Sequence, residues 1–152
     1  MTENRLTKAF LIFPAIILAL HGLIHLMGTI TYLQIGTIEG FAYKTTLLNG
    51  VWELGSPGIA VFGALWAVAA NGFLAAAVSI LVDRDCSQPM LLVMTLFSLT
   101  LTALDWSTAF GGTIMNLVIL VAFWLGQKWH PGSGFRKPAR QTRFKSQPLT
   151  NH

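Results

Sequence analysis

Charge is scarce in this chain, with six acidic and ten basic residues among 152, or 11% in all. Soluble domains carry about 25%. Together with 53% hydrophobic residues and a mean hydropathy of +0.60, the shortage excludes a soluble globular domain and implies an integral membrane protein. Cysteine is nearly absent: Cys86 stands alone, so there is no internal disulfide. Nor is there a C-x-x-C pair for the thiol–disulfide relays of some four-helix membrane oxidoreductases. No Walker motif occurs, which removes an ATPase role for the chain itself. At this length one bundle of helices is expected and no separate soluble catalytic domain, so any chemistry takes place in or at the bilayer.

Four long apolar runs fill most of what remains, near residues 9–32, 58–82, 87–106 and 110–129. The third, Met90 to Leu104, is short by itself and reaches spanning length by taking in Ser87 to Pro89 or Asp105 and Trp106. About 20 residues at 1.5 Å rise cross a hydrocarbon core about 30 Å thick. Backbone groups in lipid must be satisfied within a segment, so continuous apolar runs predict helices. A transmembrane barrel would need alternating strands of about ten residues. The expected fold is therefore all-α, a single membrane domain of four transmembrane helices over residues 1–129.

Basic residues orient it. Arg5, Lys8, Arg84, Lys128, Arg136, Lys137, Arg140, Arg143 and Lys145 fall on one side and Lys44 alone on the other. That split predicts an N-in/C-in topology, with both termini and the Asp83 to Gln88 loop cytoplasmic and the 33–57 loop and the Ser107 to Ala109 turn outside. The basic start followed by an apolar run also resembles a secretory signal, but no small-x-small cleavage site follows, so an uncleaved first span is expected. Residues 130–152 carry Pro131, Pro138 and Pro148 and five basic residues. Such a composition predicts a disordered cytoplasmic tail whose natural partner is the anionic lipid of the bilayer, at about 1 kcal/mol per basic residue. With Phe135 and Phe144 as its only aromatics it lacks the interleaved stacking residues of a nucleic-acid binder.

In the outer loop, Phe41, Leu47, Leu48, Val51 and Trp52 fit one face of a short amphipathic helix, lying on the interface or over the mouth of the bundle. Pro57 suits a helix start, and Glu53 is delivered near the outer surface.

Polar residues inside the spans matter most, because ionisable side chains in hydrocarbon cost about 2.5 to 3.5 kcal/mol when charged and are usually there for a use. His21 and His25 are one helical turn apart and share a face with Gly28. By the helical rise they lie about 18 and 24 Å from Ala9, in the outer half. The third span offers Thr95, Ser98, Thr102 and Asp105 on one side, and the fourth offers Asn116 about one turn below the outer surface. In the second span Gly63, Ala67, Asn71, Ala75 and Ser79 repeat at i+4, which predicts a helix-packing seam with Asn71 as an interhelical hydrogen bond. Because short connections turn polar faces inward, His21, His25, Glu53, Asp105 and Asn116 are expected to converge in an outward-facing pocket, with Trp52 and Trp106 at its rim.

Such a cluster admits three uses. His21 and His25 could ligate a metal ion with a carboxylate completing the shell. Imidazole and carboxylate could exchange protons with a quinone or another lipid-soluble substrate. Neutral histidines hydrogen-bonded to Asp105 or Asn116 could simply hold the bundle together. Haem between the pair is disfavoured, since axial ligands must oppose each other across the ring and both histidines sit on one helix. A transporter would need inverted repeats and broken helices, or assembly into a homo-oligomer or with other membrane subunits, for instance by self-association along the Gly63 to Ser79 seam.

The runs His21-Gly22-Leu23-Ile24-His25-Leu26-Met27-Gly28, Leu65-Trp66 within an alanine-rich second span, and Asp105-Trp106-Ser107-Thr108-Ala109-Phe110-Gly111 followed by Asn116 resemble small uncharacterised bacterial four-span proteins. Some of these carry DoxX-like or permease labels. The resemblance covers about residues 9–129 and implies a bacterial inner-membrane protein and, through the DoxX-like label, a component of a redox or quinone-linked system. It brings no catalytic motif residue by residue. The leading expectation is a small accessory or ligand-binding membrane protein, with a membrane oxidoreductase component using His21, His25 and Asp105, or an oligomeric transporter subunit, as alternatives.

Overall fold

The computed structural model describes residues 3–82 and 86–129, with side chains from 11 onward except that of Trp129. The basic tail, and Asp83, Arg84 and Asp85 of the loop between the second and third spans, lie outside the described residues. The chain is all-helical apart from a small hairpin, in the order α1 (Glu3–Tyr32), β1 (Thr46–Leu47), a 3-10 turn (Leu48–Gly50), β2 (Trp52–Glu53), α2 (Gly55–Leu81), α3 (Ser87–Leu104) and α4 (Trp106–Trp129). All four helices are long and apolar enough to span a membrane.

Helix α1 packs most extensively on α2 and α4 on α3, with α2 joining the two pairs. Small residues set the α1/α2 distance. A Cβ on Gly22 would stand 2.9 Å from the Ala70 carbonyl oxygen, and one on Gly63 would stand 2.8 Å from Tyr32 Cβ. Lipid removes the hydrophobic incentive for helices to associate, so close backbone approach of this kind supplies the packing energy.

The seam of α2 is not the one its i+4 repeat suggests. Buried positions run Ile59, Phe62, Trp66, Ala69, Phe73, Ala76, with Ala70 and Ala77 beside them. Their alternating steps of three and four residues hold one face. A strict i+4 repeat advances about 40° per step and winds about 160° round the helix in four steps. Gly63 and Ser79 are therefore buried on opposite flanks, whereas Asn71 and Ala75 between them are exposed and Ala67 is half-buried. Asn71 bonds no neighbouring helix; its Nδ2 donates to the Ala67 carbonyl of its own helix at 2.8 Å.

The loop over residues 33–54 also departs from its amphipathic pattern. In place of a short helix, Thr46 pairs with Glu53 and Leu47 with Trp52 in an antiparallel hairpin. Leu48, Asn49 and Gly50 all take positive φ, which interrupts a right-handed helix. Phe41 and Leu47 turn inward, while Leu48, Val51 and Trp52 are exposed. Helix α4 begins at Trp106, so Ser107 to Ala109 form its first turn, and Asp105 alone joins α3 to α4. The Asp105 carbonyl accepts from the Thr108 and Ala109 amides at 3.0 and 2.8 Å.

Two apolar clusters result, one at the end of the bundle that carries the 33–54 loop, the end expected to face outward, and one toward the opposite end. The outer one holds Tyr32, Phe41, Leu47, Ile59, Phe62, Trp66, Ala69, Leu101 and Ala109. The inner one is built on Ala15, Leu18, Phe73 and Ala77. Gly28 and Gly72 make opposite demands on their surroundings. A Cβ on Gly28 would overlap the Trp66 indole, itself wedged among Tyr32, Phe41, Phe62 and His25, whereas a Cβ on Gly72 would meet the thioether of half-buried Met94. A methionine can change rotamer and a wedged indole cannot. Gly28→Ala is therefore expected to cost about 1–3 kcal/mol of unfolding stability in detergent, and Gly72→Ala clearly less. Equal losses would contradict this account of the core.

Candidate functional site

Four of the five expected polar residues are buried inside the bundle. His21 is 3% exposed, His25 1%, and Asp105 and Asn116 0%. They form two groups, an inner ring and an outer triad, and Glu53 joins neither. Glu53 is exposed and accepts from the Gly55 amide at 3.0 Å, so it caps the start of α2. Trp52 and Trp106 are both half-exposed at the outer end, on the hairpin and at the start of α4.

The inner ring joins α1, α3 and α4. His25 Nδ1 lies 2.9 Å from the His21 carbonyl, a pure acceptor, so Nδ1 carries the proton. The other nitrogen, Nε2, then accepts from the Ser98 hydroxyl at 2.6 Å. Ser98 Oγ in turn accepts from Asn116 Nδ2 at 2.8 Å, and the same amide nitrogen reaches Thr102 Oγ1 at 3.3 Å. With that amide orientation Asn116 Oδ1 faces His21 Nε2 at 3.1 Å and accepts its proton. The path closes on itself: His21 to Asn116, to Ser98, to His25, and back to the His21 backbone. Every step has one donor and one acceptor with both imidazoles neutral. Phe73 packs against both rings, with centroids at 4.7 and 5.4 Å.

The outer triad sits at the α3–α4 junction. Tyr32, the last residue of α1, donates its phenol proton to Asp105 Oδ2 in a short hydrogen bond. Asp105 Oδ1 makes no directed hydrogen bond and is held instead by an ion pair with Lys44 Nζ. Lys44 also donates to Ser107 Oγ at 2.8 Å and Thr108 Oγ1 at 2.9 Å, which hold its ammonium beside the carboxylate. Phe41 and Leu47 of the same loop pack into the outer cluster, and the 3-10 turn lies against α4. The loop thus closes over the outer end. Trp66 fills the space between ring and triad, 5.2 Å from the His25 ring and 6.4 Å from Tyr32, and its indole N–H is buried without an acceptor.

Sequence reasoning placed the ring residues but overlooked Tyr32 and Lys44. A signal was present: a buried acid needs a counter-charge, and Lys44, in the loop between the first two spans, is the sole basic residue between Lys8 and Arg84.

For a metal ion the donor set is poor. Among the described residues no three His, Cys, Asp or Glu side chains come together. Three of the four imidazole nitrogens are already engaged within the ring. Two cavities lined by described residues lie away from the ring and the triad. One of about 270 Å³ is lined by Ile80, Ser87, Leu91 and Phe123 at the inner end, and a shallow one of about 360 Å³ runs along the outward side of α4 past Ile114, Val118 and Val121.

Removing the Lys44 charge leaves Asp105 buried and unpaired, and breaking a buried pair by one partner is more costly than removing both charges. Lys44 is itself 22% exposed, which reduces the effect below that of a fully buried pair. Lys44→Met should lower detergent-unfolding stability by about 1–3 kcal/mol, and the double variant Lys44→Met with Asp105→Asn should recover much of the loss. A double variant no better than the single one would show that the pair does not hold the loop.

No protein-family model, curated protein or solved structure matches the chain, so its function is read from this geometry alone.

Proposed function

We propose that the chain is an accessory protein of the bacterial inner membrane, a rigid four-span module whose intramembrane histidines serve its architecture. One observation carries the reading: the closed ring of His21, Asn116, Ser98 and His25, in which the polar atoms answer each other across three helices. A ligand site keeps unpaired groups convergent on an open space, and here the expected polar pocket is filled by its own side chains. The ring also suits retention of protons better than their passage. A proton leaving His25 toward His21 would have to cross the Asn116 carboxamide, which has no titratable proton near neutral pH. Redox work with quinone or metal would require the ring to open first.

The basic-residue asymmetry supports placing both termini in the cytoplasm, because the single Lys44 on the other side is outnumbered by nine basic residues. With both termini in the cytoplasm, the basic tail from residue 130 meets anionic headgroups.

Two measurements test these readings. In a double-mutant cycle of His21→Ala and Asn116→Ala, unfolding in detergent should reveal a coupling of about 0.6–2 kcal/mol, while the purified wild type carries neither stoichiometric metal nor a quinone absorption band. A bound metal or quinone that disappears in both variants would replace the architectural reading with a catalytic or ligand-binding one. For topology, the exposed thiol of Cys86 should react with a membrane-impermeant maleimide in inverted membrane vesicles and stay unlabelled in intact spheroplasts. The reverse pattern would invert the orientation.

A further inference from the structure

We propose that two copies of this chain pair within the membrane through the face of α2 that presents Asn71. This goes beyond the accessory reading and does not depend on it.

Asn71 lies about 24 Å from the outer end of α2 and about 15 Å from its inner end by the helical rise, well inside the hydrocarbon. It is exposed, and it stands opposite the buried stripe of Phe62, Trp66, Ala69 and Phe73. Lipid is therefore what it faces in a single copy. One amide proton is given to the Ala67 carbonyl. Among the described residues, the second proton and the carboxamide oxygen have no partner, and hydrocarbon supplies none. Asn116, the same residue type at comparable depth on α4, is fully buried with its donors and acceptor engaged. Asn71 is thus an amide whose remaining partners must come from another molecule.

A second copy meets that need most directly. A carboxamide is both donor and acceptor, so two Asn71 side chains facing across a twofold axis can each donate to the other's oxygen. Symmetry places the complementary group at the same depth without further requirement. The surroundings permit the approach. Ala64, Ala67 and Ala75 lie one or two turns from Asn71 on the same side, and the exposed Val68 and Val78 beside them are the largest side chains that a second helix must pack against. The outward side of α4 offers the contrast: Ile114, Leu117, Val118 and Val121 are exposed and wholly apolar, so lipid satisfies them.

The test uses the full-length chain with Cys86→Ser as background, in lipid vesicles at graded protein-to-lipid ratios. Single cysteines at Ala67→Cys and Ala75→Cys should oxidise to disulfide-linked dimers, and Val121→Cys should remain monomeric. In energy transfer between labelled copies, Asn71→Leu should weaken association at least tenfold while Asn71→Gln, which keeps the carboxamide, should stay within threefold of wild type. Unchanged thermal unfolding of Asn71→Leu would show that the bundle itself is intact. Association unaffected by Asn71→Leu, crosslinking at Val121→Cys in preference to the α2 sites, or a monomer at every ratio would overturn the proposal. So would crosslinking of the α2 sites to a different polypeptide and never to a second copy.

Discussion

Inside hydrocarbon a hydrogen bond has no competitor and no substitute, and the arrangement of this bundle follows from that constraint. Helices α1 and α2 are drawn together by glycine and alanine, but α1 and α4 are linked by reach, through His21 on one and Asn116 on the other at 3.1 Å. Deleting either partner strands a buried polar group with no water to take it. The ring therefore specifies helix rotation as well as holding the helices. Turning α4 by one residue would carry Asn116 about 100° away from Ser98 and His21 together. Apolar contacts would tolerate such a change far better, since one branched side chain fills space much like another.

The same constraint explains the aromatic layer between the two polar groups. Trp66, Tyr32, Phe41 and Phe62 pack edge to face or tilted, with centroids 5.6 to 6.4 Å apart. They keep the Tyr32–Asp105–Lys44 triad from the imidazoles beneath it. Gly28 makes room for the indole, and Phe41 and Leu47 come from the loop to finish the layer. Lys44 then has a second consequence. By neutralising Asp105 it pins the loop to the α3–α4 junction, so one ion pair closes the outer end and stabilises the turn that aims Asn116.

Much of this was legible in the residues themselves. Span number and position follow from apolar run length, and the polar faces follow from steps of three and four: His21, His25 and Gly28 on α1, Thr95, Ser98, Thr102 and Asp105 on α3. Such steps stay on one helix face whatever the neighbours do. What was not legible depends on contacts between segments far apart in sequence. The pairing of Lys44 with Asp105 spans a loop and two helices, and no local pattern encodes it. The hairpin was hidden because five apolar residues over 41–52 fit a helical face as well as they fit a strand pair, and positive φ at Leu48 and Asn49 is not a preference those residues announce. Glu53 was misplaced for a related reason: proximity to the outer surface does not tell whether a side chain turns in or stays at a helix start.

Asn71 and Asn116 show where periodicity ceases to decide. Each sits among small or hydroxyl-bearing residues in an apolar helix, and a pattern of small residues at i+4 makes Asn71 look the better candidate for an interhelical bond. But an i+4 stripe precesses, and the face that buries large side chains fixes the rotation of α2. Phe62, Trp66 and Phe73 outweigh the two methyl groups of Ala67 and Ala75 in buried area, so they take the core and Asn71 is turned to the opposite side. A carboxamide left facing lipid is then a cost that the monomer cannot relieve by rotating, because rotation would expose the aromatics and break the α1/α2 contact at Gly22 and Gly63. Relief has to come from outside the bundle. The packing of the core and the pressure to associate are in this way two results of one competition for the faces of α2.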